Sequence, residues 1–291
     1  MKKAISTSSA PRVVTREQRI NRVRIAVIIV WIGAILWLVP LVGAVITSLR
    51  TQEDISVNGF WNIPQSITFA NFVEAWGRAK ISKYLGNSFI ITIPALIGML
   101  FLSSLSAYAL VRFRFRLNRF LFFMYLGGML LPFQILMLPV FRLSNQLGVY
   151  DTYWALILFH TAFQLGFCTF VLRNFMLGIP KSLFESAVID GANEFTIYRR
   201  IGLPLIVPAL ASLATLEFTW VFNDYLWALV LVSRDELKPV TTGLSTLFGQ
   251  YINNWPLIVA GSLLATVPTL IVFFALQRYF IGGLTVGATK G

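Results

Sequence analysis

The stretch GIPKSLFESAVIDGANEFTIYRRIGLP, residues 178–204, carries the punctuation of two short helices. Ser182 with Glu185 three residues on is a capping-box pattern and predicts a helix start there. Pro180 holds Ile179 in extended backbone, so the helix begins no earlier. Gly191 is placed to end it in a left-handed conformation, and Asn193 to cap a second helix with Glu194 in its first turn. The two helices carry Leu183, Phe184, Val188, Ile189, Phe195, Ile197 and Tyr198. That is more apolar surface than two short helices hide by themselves. The face either folds back on neighbouring segments or is offered to a partner's groove.

The flanks of this stretch are apolar and long, and the composition agrees. Of 291 residues, 57% are hydrophobic and only 12% are charged. A soluble domain carries about 25% charged residues, so this chain has lipid for most of its solvent. Segments of about 20 apolar residues span a bilayer. On that criterion six helices are predicted, at about 25–49, 85–111, 120–141, 152–173, 204–232 and 256–277. The fold class is an all-α polytopic membrane protein, with a basic arm at 1–24, a transmembrane domain at 25–281 and a tail at 282–291. The arm and the glycine-rich tail read as disordered on their own.

The net charge of +12 is not the footprint of a nucleic-acid binder, because the cations sit in short runs between the spans. Seventeen Lys and Arg residues fall on one side of the predicted spans and seven on the other. The richer side faces the cytoplasm, which puts both termini inside. Arg112, Arg114 and Arg116 read as orientation charges near anionic headgroups. The single Cys168 and single His160 leave no material for a disulfide or a His/Cys metal cluster, and both read as packing residues. No Gly-x-x-x-x-Gly-Lys-Ser/Thr loop is present, so ATP hydrolysis is not expected of this chain.

Two further features bear on function. In the outer loop at about 50–84, PQSITFANFVEAW (64–76) predicts a short amphipathic helix capped by Thr68, lying on the membrane surface or against neighbouring helices. Glu217 and Asp224 lie seven residues apart on the predicted fifth helix. An acid at the bilayer centre costs about 2.5–3.5 kcal/mol on insertion scales, so both should face protein or a wet cavity. With Trp220, Asn223 and Trp227 they are candidates for lining a solute path. The alternative is a polar helix–helix contact for Glu217 and a place in the outer gate for Asp224.

The central stretch also resembles a family. Glu185-Ser186-Ala187, three residues, Gly191, nine residues and Ile201-Gly202-Leu203-Pro204 follow the Glu-Ala-Ala…Gly…Ile-x-Leu-Pro pattern of permease subunits of ATP-binding-cassette importers, with Ser186 alone departing. The segments PQSITFANFVEAWGRAKISKYLGNS (64–88), WVFNDYLW (220–227) and QRYFIGGLTVGATKG (277–291) are similar to the second, shorter permease of the maltose-type sugar importers.

The resemblance implies a type I importer fold in the cytoplasmic membrane of a bacterium or archaeon, and a sugar or oligosaccharide as cargo. It implies as partners a homologous second permease, two ATPase subunits and an extracytoplasmic sugar-binding protein. ATP and Mg would be bound by the ATPase, with no cofactor on this chain. Coupling to the ATPase would fall to Glu185, Ser186, Ala187, Asp190, Gly191, Phe195, Leu203 and Pro204. The tail, through Gly287, Thr289 and Gly291, would insert between the two ATPase subunits. The same machine carrying a polyol or glycerol-phosphate ester is the nearest rival, and a self-contained carrier with Glu217 or Asp224 as a proton site is a more distant one.

Overall fold

The computed structural model describes residues 16–78, 80–248 and 253–288. Among these no strand occurs, and the chain is a succession of helices: α1 (Arg16–Ser48), α2 (Gln52–Asn58), α3 (Ala70–Arg78), α4 (Ile81–Arg112), α5 (Asn118–Met129), α6 (Met137–Gln146) and α7 (Tyr153–Met176). There follow α8 (Lys181–Ile189), α9 (Glu194–Ile197), α10 (Leu203–Leu205), α11 (Val207–Phe222), α12 (Leu226–Leu231), α13 (Val240–Gly243) and α14 (Trp255–Ala288). Four helices are long and apolar enough to cross a membrane, and six crossings result if each of two bent pairs counts as one.

The bent pairs correct the reading of six straight spans. The predicted third helix is two, α5 and the segment Phe133–Gln146, meeting at 95°. Gly127 and Gly128 weaken the end of α5, and Pro132 has no N–H to continue it and restricts Leu131 to non-helical backbone. The predicted fifth helix is three pieces. Glu194–Leu205 meets α11 at 68°, and α11 stops at Phe222 before α12 begins at Leu226. Asp224 causes the second break: its carboxylate accepts the Trp227 and Ala228 N–H groups and so starts a new helix.

Other boundaries also shift. The first helix begins at Arg16, inside the arm read as disordered, and residues 282–288 of the tail are helical. Residues 1–15, Thr289 and Gly291 lie outside the described residues.

The bundle is built on α4, which packs along α7, with α11 between α4 and α14 and with α5 against α7. Close approach is made possible by small residues, as between membrane helices generally. A Cβ on Gly166 of α7 would lie 3.0 Å from the Tyr125 carbonyl oxygen of α5. α1 packs mainly along α14 and exposes most of its apolar side chains from Val23 onward.

In the loop predicted to lie outside, called the outer loop, α3 is capped by Thr68, which accepts the Ala70 N–H at 3.1 Å, and packs on α14. The outer loop is organised by Arg50, which is fully buried. Its Nε donates to Asp54 Oδ2 at 2.7 Å and its Nη1 to the carbonyls of Gly59 and Phe60. Asn71 of α3 closes the group by donating to the Ser48 and Arg50 carbonyls. The Arg50 hydrogen bond, with a second from Asn58, holds the Asp54 carboxyl well below its ordinary 3.8, at about 2. Asp54 therefore stays ionised at every pH a cell meets.

Removing one member of such a pair strands the other, whereas replacing both by apolar groups is often neutral. Arg50→Met is expected to make residues 51–66 protease-sensitive at neutral pH, and Arg50→Met with Asp54→Leu to restore resistance. Equal cleavage of single variant, double variant and wild type would show that the pair does not hold the loop.

Candidate functional site

Two places gather the residues singled out from the sequence: the loop between α7 and α11, called the inner loop after its predicted cytoplasmic side, and a cavity beside the break at Asn223–Tyr225.

In the inner loop, α8 starts two residues earlier than the capping box predicts. Pro180 takes the cap position, Ser182 falls inside the first turn, and no side chain caps the helix. Glu185 is thus free of its expected capping role and is exposed. The other end is as predicted. Gly191 has φ +77°, its N–H bonds the Val188 carbonyl, and the Ala192 N–H bonds that of Ala187, a closed C-terminal turn. A Cβ on Gly191 would meet nothing within 4 Å, so glycine is required there for its backbone angle and not for space. Asn193 then caps α9, accepting the Thr196 N–H at 2.8 Å.

These turns divide the apolar side chains into two faces. Phe184, Ala187, Ile197 and Tyr198 are buried against the bundle. Leu183, Val188, Phe195 and Ile189 stay exposed, Ile189 at 86%. Glu185, Ser186, Asp190 and Gly191 share the exposed side, while Ala187 is buried, Leu203 is half-buried and Pro204 is exposed in α10. Of the tail residues, Gly287 lies in the last turns of α14.

The loop is fastened to α4 by a row of side chains spaced four apart, hence on one helix face. Ser104 and Tyr198 share a hydroxyl hydrogen bond of 2.7 Å. Tyr108 donates to Glu194 Oε2 at 2.8 Å, and Arg112 holds the same carboxylate through Nε and Nη2 at 2.8–3.1 Å. Arg112 is thus an ion-pair partner rather than an orientation charge alone. The Tyr108 ring also packs edge-on to Phe184 and Tyr198. Ser104 and Tyr108 carry no signal in the sequence, and Glu194 is legible only as a first-turn acid, because their partners lie more than eighty residues away.

The second place is a cavity of about 410 Å³. Its walls are aromatic: Phe133, Phe159, Phe163, Trp220, Tyr225 and Trp227. Its polar groups are Thr219, Asn223, Asp224 and His160, and its lining contains no Lys or Arg. Asp224 lies in the break beyond α11 and not within a helix, and His160 Nε2 lies 3.7 Å from its Oδ2. His160 therefore faces a carboxylate and the cavity, more than the packing role expected of it. Trp227 is buried and packs on the Phe159 ring, while Trp220 is 58% exposed. Glu217 is placed elsewhere. It is 2% exposed beside Cys168 on α7, outside the cavity lining, and its Oε2 has no partner. Among the described residues no cluster suited to a metal ion occurs.

Rings with a few hydrogen-bonding groups and no cation suit a neutral, hydroxyl-rich solute. An exposed apolar helix with a rigid turn suits a partner's groove.

The chain is similar to several known proteins. Residues 99–285 match the family described as binding-protein-dependent transport system inner membrane component. The arabinooligosaccharide transport permease AraQ of Halalkalibacterium halodurans is 38% identical, covering 87% of this chain and 91% of its own. The melibiose/raffinose/stachyose import permease MelC of Bacillus subtilis is 33% identical over 95% of this chain and all of its own. In fold, a chain of a bacterial transporter that imports the acidic polysaccharide alginate superimposes with a TM-score of 0.80 at 23% identity, over 93% of this chain.

The geometry at the break has a local consequence. Asp224→Ala removes the cap of α12, a loss of about 0.5–2 kcal/mol. Hydrogen exchange at the Trp227 and Ala228 amides should rise in that variant and stay protected in Asp224→Asn. Unchanged protection in Asp224→Ala would mean that the break is held by packing alone.

Proposed function

Since this chain belongs to the family of inner membrane components of binding-protein-dependent transport systems, we propose that it forms half of the path of an ATP-driven importer for a neutral sugar or oligosaccharide. The other half is a homologous permease. Two separate ATPase subunits, which bind ATP and Mg, engage the inner loop at 182–204, and an extracytoplasmic sugar-binding protein delivers the cargo. The cation-rich side of the chain supports a cytoplasmic position for this loop and both termini.

The observation that carries the cargo is the aromatic cavity with Asn223 and Asp224 at its break. Sugar rings stack on Trp and Tyr faces, and their hydroxyls donate to a carboxylate. The absence of Lys and Arg from the lining favours uncharged sugars over sugar acids. The names of AraQ and MelC, carriers of neutral oligosaccharides, point the same way.

Coupling rests on the exposed face of α8 and α9. Leu183, Val188, Ile189 and Phe195 lie in the groove of the ATPase, with Glu185, Asp190 and Gly191 at its edge. When the ATPase subunits close, the rigid loop moves the helices attached to it, and the path opens outward to the binding protein. The tail from Gly287 onward gives a second contact with the ATPase pair.

Purification of this chain from its host in a mild detergent should bring down a second permease and an ATPase. Recovery of the chain alone, able to move solute after reconstitution, would overturn the reading. Gly191→Asp puts a side chain at φ +77°, a strain of about 1–2 kcal/mol that the fold survives. That variant should reach the membrane in normal amount and lose uptake. Trp220→Ala should lower sugar uptake about tenfold with the complex intact, given about 1.4 kcal/mol per lost ring contact. Uptake at the wild-type rate would remove Trp220 from the path.

A further inference from the structure

The inner loop and the cavity lie toward opposite ends of α4, and α4 is clasped at each end by the segment that leads to one of them. At the inner end, Ser104, Tyr108 and Arg112 hold Tyr198 and Glu194. At the outer end, Tyr84, Asn87 and Ser88 hold the loop from Asp235 to Val240 in the same manner. Tyr84 donates to Asp235 Oδ1 at 2.7 Å, and Asn87 donates to the Glu236 and Lys238 carbonyls at 2.8 and 2.9 Å. Ser88 accepts the Val240 N–H at 2.9 Å. These three side chains are buried, at 5% exposure or less. Gly243 lies so close to Tyr84 that a Cβ there would fall 2.2 Å from the ring.

One more bond completes the chain of contacts. Thr241, next to this outer clasp, donates its hydroxyl to the Asp224 carbonyl at 2.6 Å. Asp224 is the residue whose carboxylate sits beside His160 at the cavity and starts α12. From the inner loop to the cavity there is thus an unbroken sequence: Glu194 and Tyr198, α4, the outer loop at 235–241, and the break at Asp224.

We propose that α4 is the rod that carries the movement of the inner loop to the cavity, with Tyr84 and Thr241 as positioning residues at its outer end. The inference rests on the importer reading. A helix of 32 residues is about 48 Å long, enough to join the two faces of a bilayer. Its ends are fixed by side-chain bonds and not by apolar contact alone, so a displacement of Glu194 cannot be absorbed by sliding at that end. Both clasps include ion pairs, Arg112 with Glu194 at the inner end and Lys80 and Lys83 with Asp235 at 3.8 and 3.9 Å at the outer end.

The test uses the full complex in lipid vesicles, with ATP hydrolysis measured with and without sugar-loaded binding protein. Tyr84→Phe and Thr241→Val each remove one hydroxyl and keep the side-chain shape. Each is expected to lower the stimulation by binding protein about 2- to 10-fold, the worth of one hydrogen bond, while unstimulated hydrolysis continues. Glu194→Gln weakens the inner joint and should have a similar effect on stimulation. Because the joints act in series, Tyr84→Phe combined with Glu194→Gln should be little worse than the worse single variant. Wild-type stimulation in both Tyr84→Phe and Thr241→Val, or a double variant whose losses multiply, would overturn the proposal. A wild-type complex with no stimulation at all would overturn the importer reading, and the rod with it.

Discussion

Within a bilayer no water is present to take up a backbone N–H or C=O, so a helix can stop there only if its loose ends find partners inside the protein. That constraint governs the breaks within the spans of this chain. At Asn223–Tyr225 the new helix start is satisfied by the Asp224 carboxylate, and the Asp224 carbonyl by the Thr241 hydroxyl. At Leu130–Pro132 the chain turns through bonds from Leu130 and Leu131 back to Gly127 and Gly128. Each corner brings side chains to a place that a straight helix would not reach, and the first of them walls the cavity.

The same economy appears in how polarity is distributed. The middle of α4 touches α7 through small side chains, with Gly98 against Thr161, and the hydrogen-bonding residues discussed above concentrate toward its two ends. His160 and Asp224 add a polar contact between α7 and the break without filling the adjoining space, which stays open to a solute.

The sequence reads well where the signal is local. The reversal at Gly191 and the cap at Asn193 depend on residues within four positions, and both appear where the pattern puts them. The long apolar runs at α4, α7 and α14 are found within a few residues of their predicted limits, apart from the helical extension of α14 into the tail. Misreadings arise where two local signals compete. Ser182 and Glu185 spell a capping box, but Pro180, with its fixed φ, starts the helix first. Asp224 was read as a helix-interior acid because WVFNDYLW is apolar enough to continue. Its ability to cap a following turn wins instead. The pairing of Glu194 with Tyr108 and that of Tyr84 with Asp235 are illegible for another reason: a clasp between residues 86 or 151 positions apart leaves no periodic trace.

The bend of 95° between α5 and the segment that follows has a consequence for how the chain is made. α5 has 12 residues, about 18 Å of helix, too short to cross a hydrocarbon layer of about 30 Å. It reaches a spanning length only together with the segment Phe133–Gln146, and its side is covered by α7. Geometry thus sets an expected order of events at the membrane: α1 and α4 are long enough to leave the insertion machinery singly, while α5 to α7 are expected to enter the bilayer together.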